Sequence, residues 1–439
     1  MIDKGTALDS AIEANDMAAK MSLPTGRRRV LVLASTFPSR VQPIHGVFVK
    51  ERVRAVSQLA DIETRVISPV PYFPPIRAFP RWYPLSQIPQ AEVIDGLEVT
   101  RPRYFLPPKI GGYFHPRLMD LGIRRAVDHM FKSFPFDLID AHFAYPDGVV
   151  AAMLGQKYNR PVVITGRGEE IARFPRLPVI GPAIRWALKS ATRLVAVTEE
   201  IGRMMEAEGA DPSKITVIKN GVDTAKFQPM SRDEARTRLG LPLGRPLIVS
   251  AGYRLEIKGF HLLIDAIPRI REIYPEILVA IVGGQARWGL DYTAELERHI
   301  RENRVEDFVI MPGARPPHEM PWWYSSGDLF ALLSSREGSS NVLMEALACG
   351  LPAVGTPVGG IAELLRDSRL GLILPERSAP AVAAGVISAL QHPWNRPQIR
   401  AVMETMSWET TARKVRAVFL SALEEVDRNR NILHHNGVE

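Results

Sequence analysis

Twice along this chain, short apolar runs alternate with stretches of helical periodicity, and that repetition constrains the fold more than any other feature. The first series opens with Arg29-Val-Leu-Val-Leu-Ala-Ser-Thr36 and continues through runs at 64–70, 137–143, 161–165, 193–197 and 215–218. Helical patterns fall between them at 47–59, 117–134, 147–158 and 183–189, and Thr198 is placed to cap another. A polar, proline-bearing stretch at 224–245 interrupts the series. It restarts with runs at 246–251, 277–283, 308–311, 328–333, 352–355 and 370–374. Apolar runs of this length, bounded by turn residues, read as strands buried on both faces. Strands alternating with helices predict parallel sheets covered on both sides. The expectation is an α/β chain of two Rossmann-like, doubly wound parallel-sheet domains, 27–225 and 226–408, facing each other across a cleft. Residues 69–116 depart from the pattern: they hold eleven prolines and a predicted hairpin at Val93-Ile-Asp-Gly-Leu-Glu-Val99.

A length of 439 residues exceeds one ordinary core, and 46% hydrophobic with 23% charged residues is the balance of a globular protein. Cys349 is the sole cysteine, which excludes intrachain disulfides and thiolate metal cages and fits a reducing cytosol. No apolar run approaches the roughly 20 residues needed to span a bilayer. Residues 1–26 carry acids and no apolar signal-peptide core, and read as a disordered leader; 428–439 read as a tail. The charge is uneven: 27–225 carry a net +9, whereas 226–439 are balanced. Basic surfaces suit nucleic acid, anionic membrane or phosphorylated ligands. No zinc-finger spacing or single-strand-binding motif supports nucleic acid, so the reading favours a cytoplasmic protein peripheral to an anionic membrane surface. Residues 101–132 sharpen it, with seven Lys/Arg, two Asp and interleaved Tyr104, Phe105, Tyr113 and Phe114. There Met119, Ile123, Val127, Met130 and Phe134 recur near helical spacing, either as a membrane-facing edge or as a helix packed on the first sheet.

Chemistry concentrates at Glu337-Gly-Ser-Ser-Asn-Val-Leu-Met-Glu345. Turn residues give way to helix formers, and Gly350-Leu-Pro352 ends the run. A helix entrance offers unpaired N–H groups and a positive dipole end, which suits phosphate. Glu345, a turn inside, reaches hydroxyls of whatever carries that phosphate, and Glu337 stands on the loop before it.

With these motifs the chain resembles the group 1 family of retaining, nucleotide-sugar-dependent glycosyltransferases with the GT-B fold. It is most similar to the bacterial branch that builds exopolysaccharide, teichuronic acid and other cell-envelope glycans. The resemblance spans roughly 29–427. It is carried by Thr36-Phe-Pro with Gly46-Val-Phe-Val49, Asp140-Ala-His-Phe-Ala-Tyr-Pro-Asp-Gly148, Asn220-Gly-Val-Asp223, Lys258-Gly259, Glu337–Glu345 and Gly359-Gly-Ile-Ala-Glu363. The resemblance implies that Glu345 holds the ribose and Glu337 the donor sugar. It implies that N–H groups around Gly338, Ser339, Ser340, Asn341 and Val342 hold the distal phosphate. Lys258 would neutralise the diphosphate in place of a metal, Gly46 would let backbone approach it, His142 would stand beside the sugar, and Arg315 would border the base. Catalytic roles fall on Glu337, His142 and Lys258; no cofactor or metal is expected. The final helix, 409–427, is expected to return to the first domain, although periodicity alone does not carry that point. The partners are then a nucleotide-sugar donor and a glycan or lipid-linked acceptor.

Two positions depart from the family pattern. Tyr253 stands where an arginine is usual, with Arg254 one residue later as the donor-binding candidate for the same phosphate, and Ser339 stands where an aromatic often follows Glu-Gly. A glycoside phosphorylase on the same fold and a non-catalytic nucleotide-sugar-binding partner are the competing readings. A nicotinamide dehydrogenase is disfavoured, because no Gly-x-Gly-x-x-Gly follows either first strand.

Overall fold

A computed structural model describes residues 26–79, 82–107, 111–285 and 291–435. All but the last residue of the expected leader lies outside these. The chain divides into two compact units: unit 1 runs to Lys219 and takes up the chain again from Trp408, and unit 2 is Asn220–Ser407.

Unit 1 is built on β1 (Arg28–Leu33), β2 (Ile62–Ile67), β3 (Val70–Pro71), β4 (Ala91–Ile94), β5 (Leu97–Thr100), β6 (Arg103–Tyr104), β7 (Leu138–His142), β8 (Val162–Gly166), β9 (Arg193–Ala196) and β10 (Ile215–Val217). Eight of these form one sheet in the order β10-β9-β8-β7-β1-β2-β5-β4, while β3 and β6 pair separately. All pairs are parallel except β4–β5, where Asp95 and Gly96, both at positive φ, turn the predicted hairpin. Side chains alternate across the sheet: Leu31 and Leu33 join one buried layer, Val30 and Val32 the other. The second layer is closed by the helix Val47–Ser57 and by the C-terminal helix Trp408–His435, whose Ala412, Val415 and Phe419 are buried in it. That C-terminal helix continues through the first residues of the expected tail.

The helix expected at 117–134 begins at Gly111 and runs through Pro116 to Ser133. Its stripe of Met119, Ile123, Val127 and Met130 is buried in the first layer with Phe134. Of the two readings of that stripe, the core one holds.

Unit 2 contains the six predicted strands: β11 (Leu247–Ala251), β12 (Leu278–Val282), β13 (Val309–Gly313), β14 (Leu329–Leu332), β15 (Ala353–Gly355) and β16 (Gly371–Ile373). They form one parallel sheet in the order β13-β12-β11-β14-β15-β16. The chain therefore moves outward one way from β11 and the other way from β14. At such a switch point the loops leaving neighbouring strands diverge and open a crevice at the carboxyl ends. Unit 1 has the corresponding point between β1 and β7.

Candidate active site

At the unit 2 switch point, the loops after β11 and β14 carry Lys258 and Glu337 to one place. Ser335 N–H donates to Ile257 O at 2.8 Å, tying the loops together. Lys258 Nζ then stands 2.8 Å from Glu337 Oε2, both side chains mostly buried, and Ser334 Oγ donates to the same oxygen at 2.8 Å. Ser334 is held in turn, its carbonyl accepting from Thr356 Oγ1 at 2.6 Å. A cation and a hydrogen-bonded carboxylate in contact, at the edge of a crevice, match a phosphate lying next to sugar hydroxyls.

The segment Gly338–Val342 leads into the helix Asn341–Ala348, with Ser340 at its N-cap. Asn341 Oδ1 accepts from Asn220 Nδ2 at 2.9 Å, which orients the entrance. Among the described residues, the N–H groups of Ser339, Ser340 and Val342 have no backbone acceptor, and the buried Ser340 Oγ has no partner. These are the donors a helix start leaves over. Gly360 packs beneath: its N–H donates to Gly338 O at 3.1 Å, and a Cβ there would stand 2.4 Å from that oxygen. One turn in, Glu345 Oε2 accepts from the fully buried Tyr324 hydroxyl at 2.8 Å. Burial pushes the Glu345 carboxyl up to about 7, against the pull of Tyr324 and Lys226.

Arg254 and Arg315 do not join this cluster. Arg254 is tied through its backbone, with N–H to Gly284 O at 3.0 Å and O accepting from Tyr292 N–H at 3.1 Å, and its buried Nε has no partner among the described residues. Arg315 is exposed and donates to Pro312 O at 2.9 Å. Tyr253, the departure from the family pattern, is exposed.

Two of the sequence candidates lie in unit 1. Gly46 has φ 74°, and a Cβ would meet Thr36 O at 2.4 Å, so the turn before the helix Val47–Ser57 closes against the end of β1 only without a side chain. His142, at the end of β7, is fully buried. Arg167 Nη2 donates to its Nδ1 at 2.6 Å, leaving the ring proton on Nε2, which lies 3.2 Å from Asp140 Oδ2. Burial lowers the imidazole to about 4 despite Asp140, so the ring is neutral at physiological pH. Burial alone would raise Asp140, but His142, Arg52 and Arg167 hold it below the usual carboxylate range. His142 thus presents no surface of its own; what it holds is Arg167, whose guanidinium lies 5.0 Å from the Phe48 ring centre.

Sequence reading missed Tyr324, Ser334 and Asn220 as supports of Glu345, Glu337 and Asn341. Each partner is distant in sequence or an unremarkable Ser or Tyr; only the Asn220-Gly motif gave a signal.

Residues 231–405 match the family described as glycosyl transferases group 1, and residues 47–226 match glycosyltransferase family 4. The chain is thus a glycosyltransferase of GT-B fold, with a group 1 domain at residues 231–405. It is 29% identical over 82% of its length, and 88% of the relative's, to TuaC of Bacillus subtilis, a protein named for teichuronic acid biosynthesis. A D-inositol 3-phosphate glycosyltransferase of Frankia alni is 28% identical over 66% of this chain and 75% of its own. Among solved structures, sucrose-phosphate synthase of Thermosynechococcus elongatus superposes with a TM-score of 0.68 at 18% identity, covering 93% of this chain and all of that one. Anabaena HepE, in complex with UDP and glucose, gives 0.68 at 20% identity over 90% of this chain and all of its own. The group 1 match includes the Glu337–Glu345 segment at the switch point of unit 2. Among its described residues no helix is long and apolar enough to cross a membrane.

Proposed function

We propose that this glycosyltransferase moves a sugar from a nucleotide-diphosphate donor to an envelope glycan or its lipid-linked precursor, with retention of configuration and without a metal. The observation that carries the proposal is the Lys258–Glu337–Ser334 contact, followed in sequence by free helix N–H donors and then by Glu345. Breaking the sugar–phosphate bond develops negative charge on the leaving diphosphate. A fixed ammonium and preorganised N–H donors stabilise that charge. Glu337 is placed for the hydroxyls of the sugar, and Glu345 for those of the ribose. Its raised carboxyl becomes fully ionised when hydroxyls donate to it. In this reading the leaving phosphate oxygen takes the acceptor proton. That assignment places attack on the face the phosphate leaves, hence retention.

The donor class draws support from HepE, solved with UDP-glucose, and the acceptor class from the name of TuaC. The membrane surface proposed as partner rests on unit 1. The stretches 72–90, 101–119 and 173–190 hold ten Lys/Arg and no Asp or Glu.

The test is a thermal-shift screen of nucleotide-sugars, followed by turnover with the one that stabilises and NMR of the product's anomeric proton. An inverted product, or activity abolished by EDTA and restored by a divalent cation, would overturn the respective part. Sugar 1-phosphate formed from glycan and inorganic phosphate would favour a phosphorylase instead.

A further inference from the structure

Arg52 puts a charge on the buried face of the helix Val47–Ser57, where its neighbours a turn away, Val49 and Val56, are apolar. It is 2% exposed. Replacing a buried ion pair by packed apolar side chains is often neutral or stabilising, so stability alone does not account for an arginine here. What it reaches does. Its Nη1 donates to Thr165 Oγ1 of β8 at 2.9 Å, and its Nη2 lies 3.7 Å from Asp140 Oδ1 of β7. The other oxygen of Asp140 faces Nε2 of His142 at 3.2 Å, and Nδ1 of that ring accepts from Arg167 Nη2 at 2.6 Å. The series then returns to its own helix, because the Arg167 guanidinium lies over the ring of Phe48, one turn before Arg52. Arg167 also lines the crevice at the unit 1 switch point, beside Ser35, Tyr145 and Asp147.

Four buried groups therefore stand in a row: cation, carboxylate, imidazole, cation. Nδ1 of His142 must stay bare for Arg167 to donate to it. Asp140 alone would favour a second proton on the ring. The imidazolium so formed has no acceptor to offer Arg167 and repels it. Arg52 opposes that step in two ways, by sharing the charge of Asp140 and by adding a second positive charge near the ring. The groups acting on the imidazole agree with this: burial lowers it most, Asp140 pulls the other way, and Arg167 and Arg52 side with burial, leaving it at about 4.

We propose that Arg52 is a positioning residue, which by sharing Asp140 keeps Nδ1 of His142 unprotonated and so holds the Arg167 guanidinium at the crevice. Its effect on turnover rests on the transferase reading above; its effect on the His142 ring does not.

Long-range proton–nitrogen NMR of the full chain, labelled at histidine, reads the ring directly, with His142 assigned by the signals lost in His142→Gln. The wild type should show the neutral Nε2–H tautomer from about pH 8 down to about pH 5. Arg52→Met fills similar space without charge and should raise the titration of the ring by at least about one pH unit. Arg52→Gln is the second neutral variant, with folding of both checked by circular dichroism. Arg52→Lys keeps the charge and should titrate near the wild type. Turnover uses the nucleotide-sugar that stabilises the protein. In the neutral variants the acid limb of kcat/KM should move up together with the ring, while values at pH 8 stay within about threefold of wild type. A residue that only supports the fold would lower activity alike at every pH. A wild-type ring that is imidazolium near neutral pH or carries its proton on Nδ1 overturns the proposal. So does a titration unchanged in the neutral variants, or a shifted titration with an unshifted kcat/KM limb. A shifted titration in a protein that transfers no sugar sinks the transferase reading alone.

Discussion

Glu345 carries a sharp residue-level test, because burial and its intended ligand push its carboxyl in opposite directions. From 4.5 it rises to about 7 in the folded protein. The folded state therefore holds this proton to higher pH than the unfolded state. Glu345 weakens stability progressively as pH rises from about 4.5 to 7, and the loss persists above that. A Glu345→Gln variant should show a flatter Tm profile across that window, measured by scanning calorimetry. Ribose hydroxyls donate to the ionised form, so nucleotide affinity should tighten as pH rises through 7 in the wild type only. Glu345→Ala should weaken nucleoside diphosphate binding roughly tenfold to a hundredfold, the equivalent of about 1.5–3 kcal/mol for a charged hydrogen bond. Lys258 is tested by contrast between ligands: Lys258→Met should lose diphosphate affinity at least tenfold while monophosphate affinity changes less than threefold. Equal losses for both would remove Lys258 from the diphosphate. Glu337→Gln keeps the Ser334 hydrogen bond and should lower kcat at least tenfold with Tm nearly unchanged.

At the scale of elements, the entrance to the helix Asn341–Ala348 depends on a packing contact that composition hides. Gly360 begins a turn of the neighbouring helix Gly359–Leu365, and its Cα lies against the carbonyl of Gly338. A methyl there would sit 2.4 Å from backbone oxygen, so the loop bearing the free N–H groups must shift. Gly360→Ala should lower Tm by several degrees and cut diphosphate affinity at least tenfold; calorimetry showing unchanged affinity would place the phosphate elsewhere. The motif Gly359-Gly-Ile-Ala-Glu363 was visible in the sequence, but its mechanical role was not, since nothing in linear order shows which backbone it underlies. The same holds for Tyr324, whose hydroxyl reaches Glu345 from 21 residues away. Local chemistry, such as turn residues entering helix formers at 337–345, was legible because it is encoded in neighbouring positions. His142 shows the opposite case. Its place at a strand end was readable, but Arg167, which donates to its Nδ1, comes to it only when β7 and β8 pair, and burial then keeps the ring neutral despite Asp140.

For the whole molecule, the strand–helix alternation predicted both sheets because parallel strands buried on both faces are predominantly apolar, as β8, β11 and β12 are, while β7 sets Asp140 and His142 among apolar residues. It missed the start of the helix Gly111–Ser133, since the proline within it signals a break that tertiary packing overrides. The position of that helix also redirects the membrane argument. With Met119, Ile123 and Val127 in the core, its exposed apolar residues are Tyr113 and Phe114 in the first turn and Leu121 farther along, each more than half exposed. β3 pairs with β6, so Tyr72 after the one strand and Phe105 after the other, both exposed, leave neighbouring strand ends. Exposed rings beside basic stretches are the composition that suits an anionic bilayer surface. Each Lys or Arg near such a surface contributes about 1 kcal/mol at low salt, an attraction that fades within a Debye length. Sedimentation with vesicles of anionic phospholipid should therefore recover the protein at low salt and release most of it in 0.5 M salt. Neutral phosphatidylcholine vesicles should recover little at either. A triple Phe105→Ser, Tyr113→Ser, Phe114→Ser variant should lose binding at least tenfold while its Tm and nucleotide affinity stay near wild type. Wild-type binding by that variant would mean the contact is electrostatic alone, and no binding by the wild type at low salt would remove the membrane as a partner.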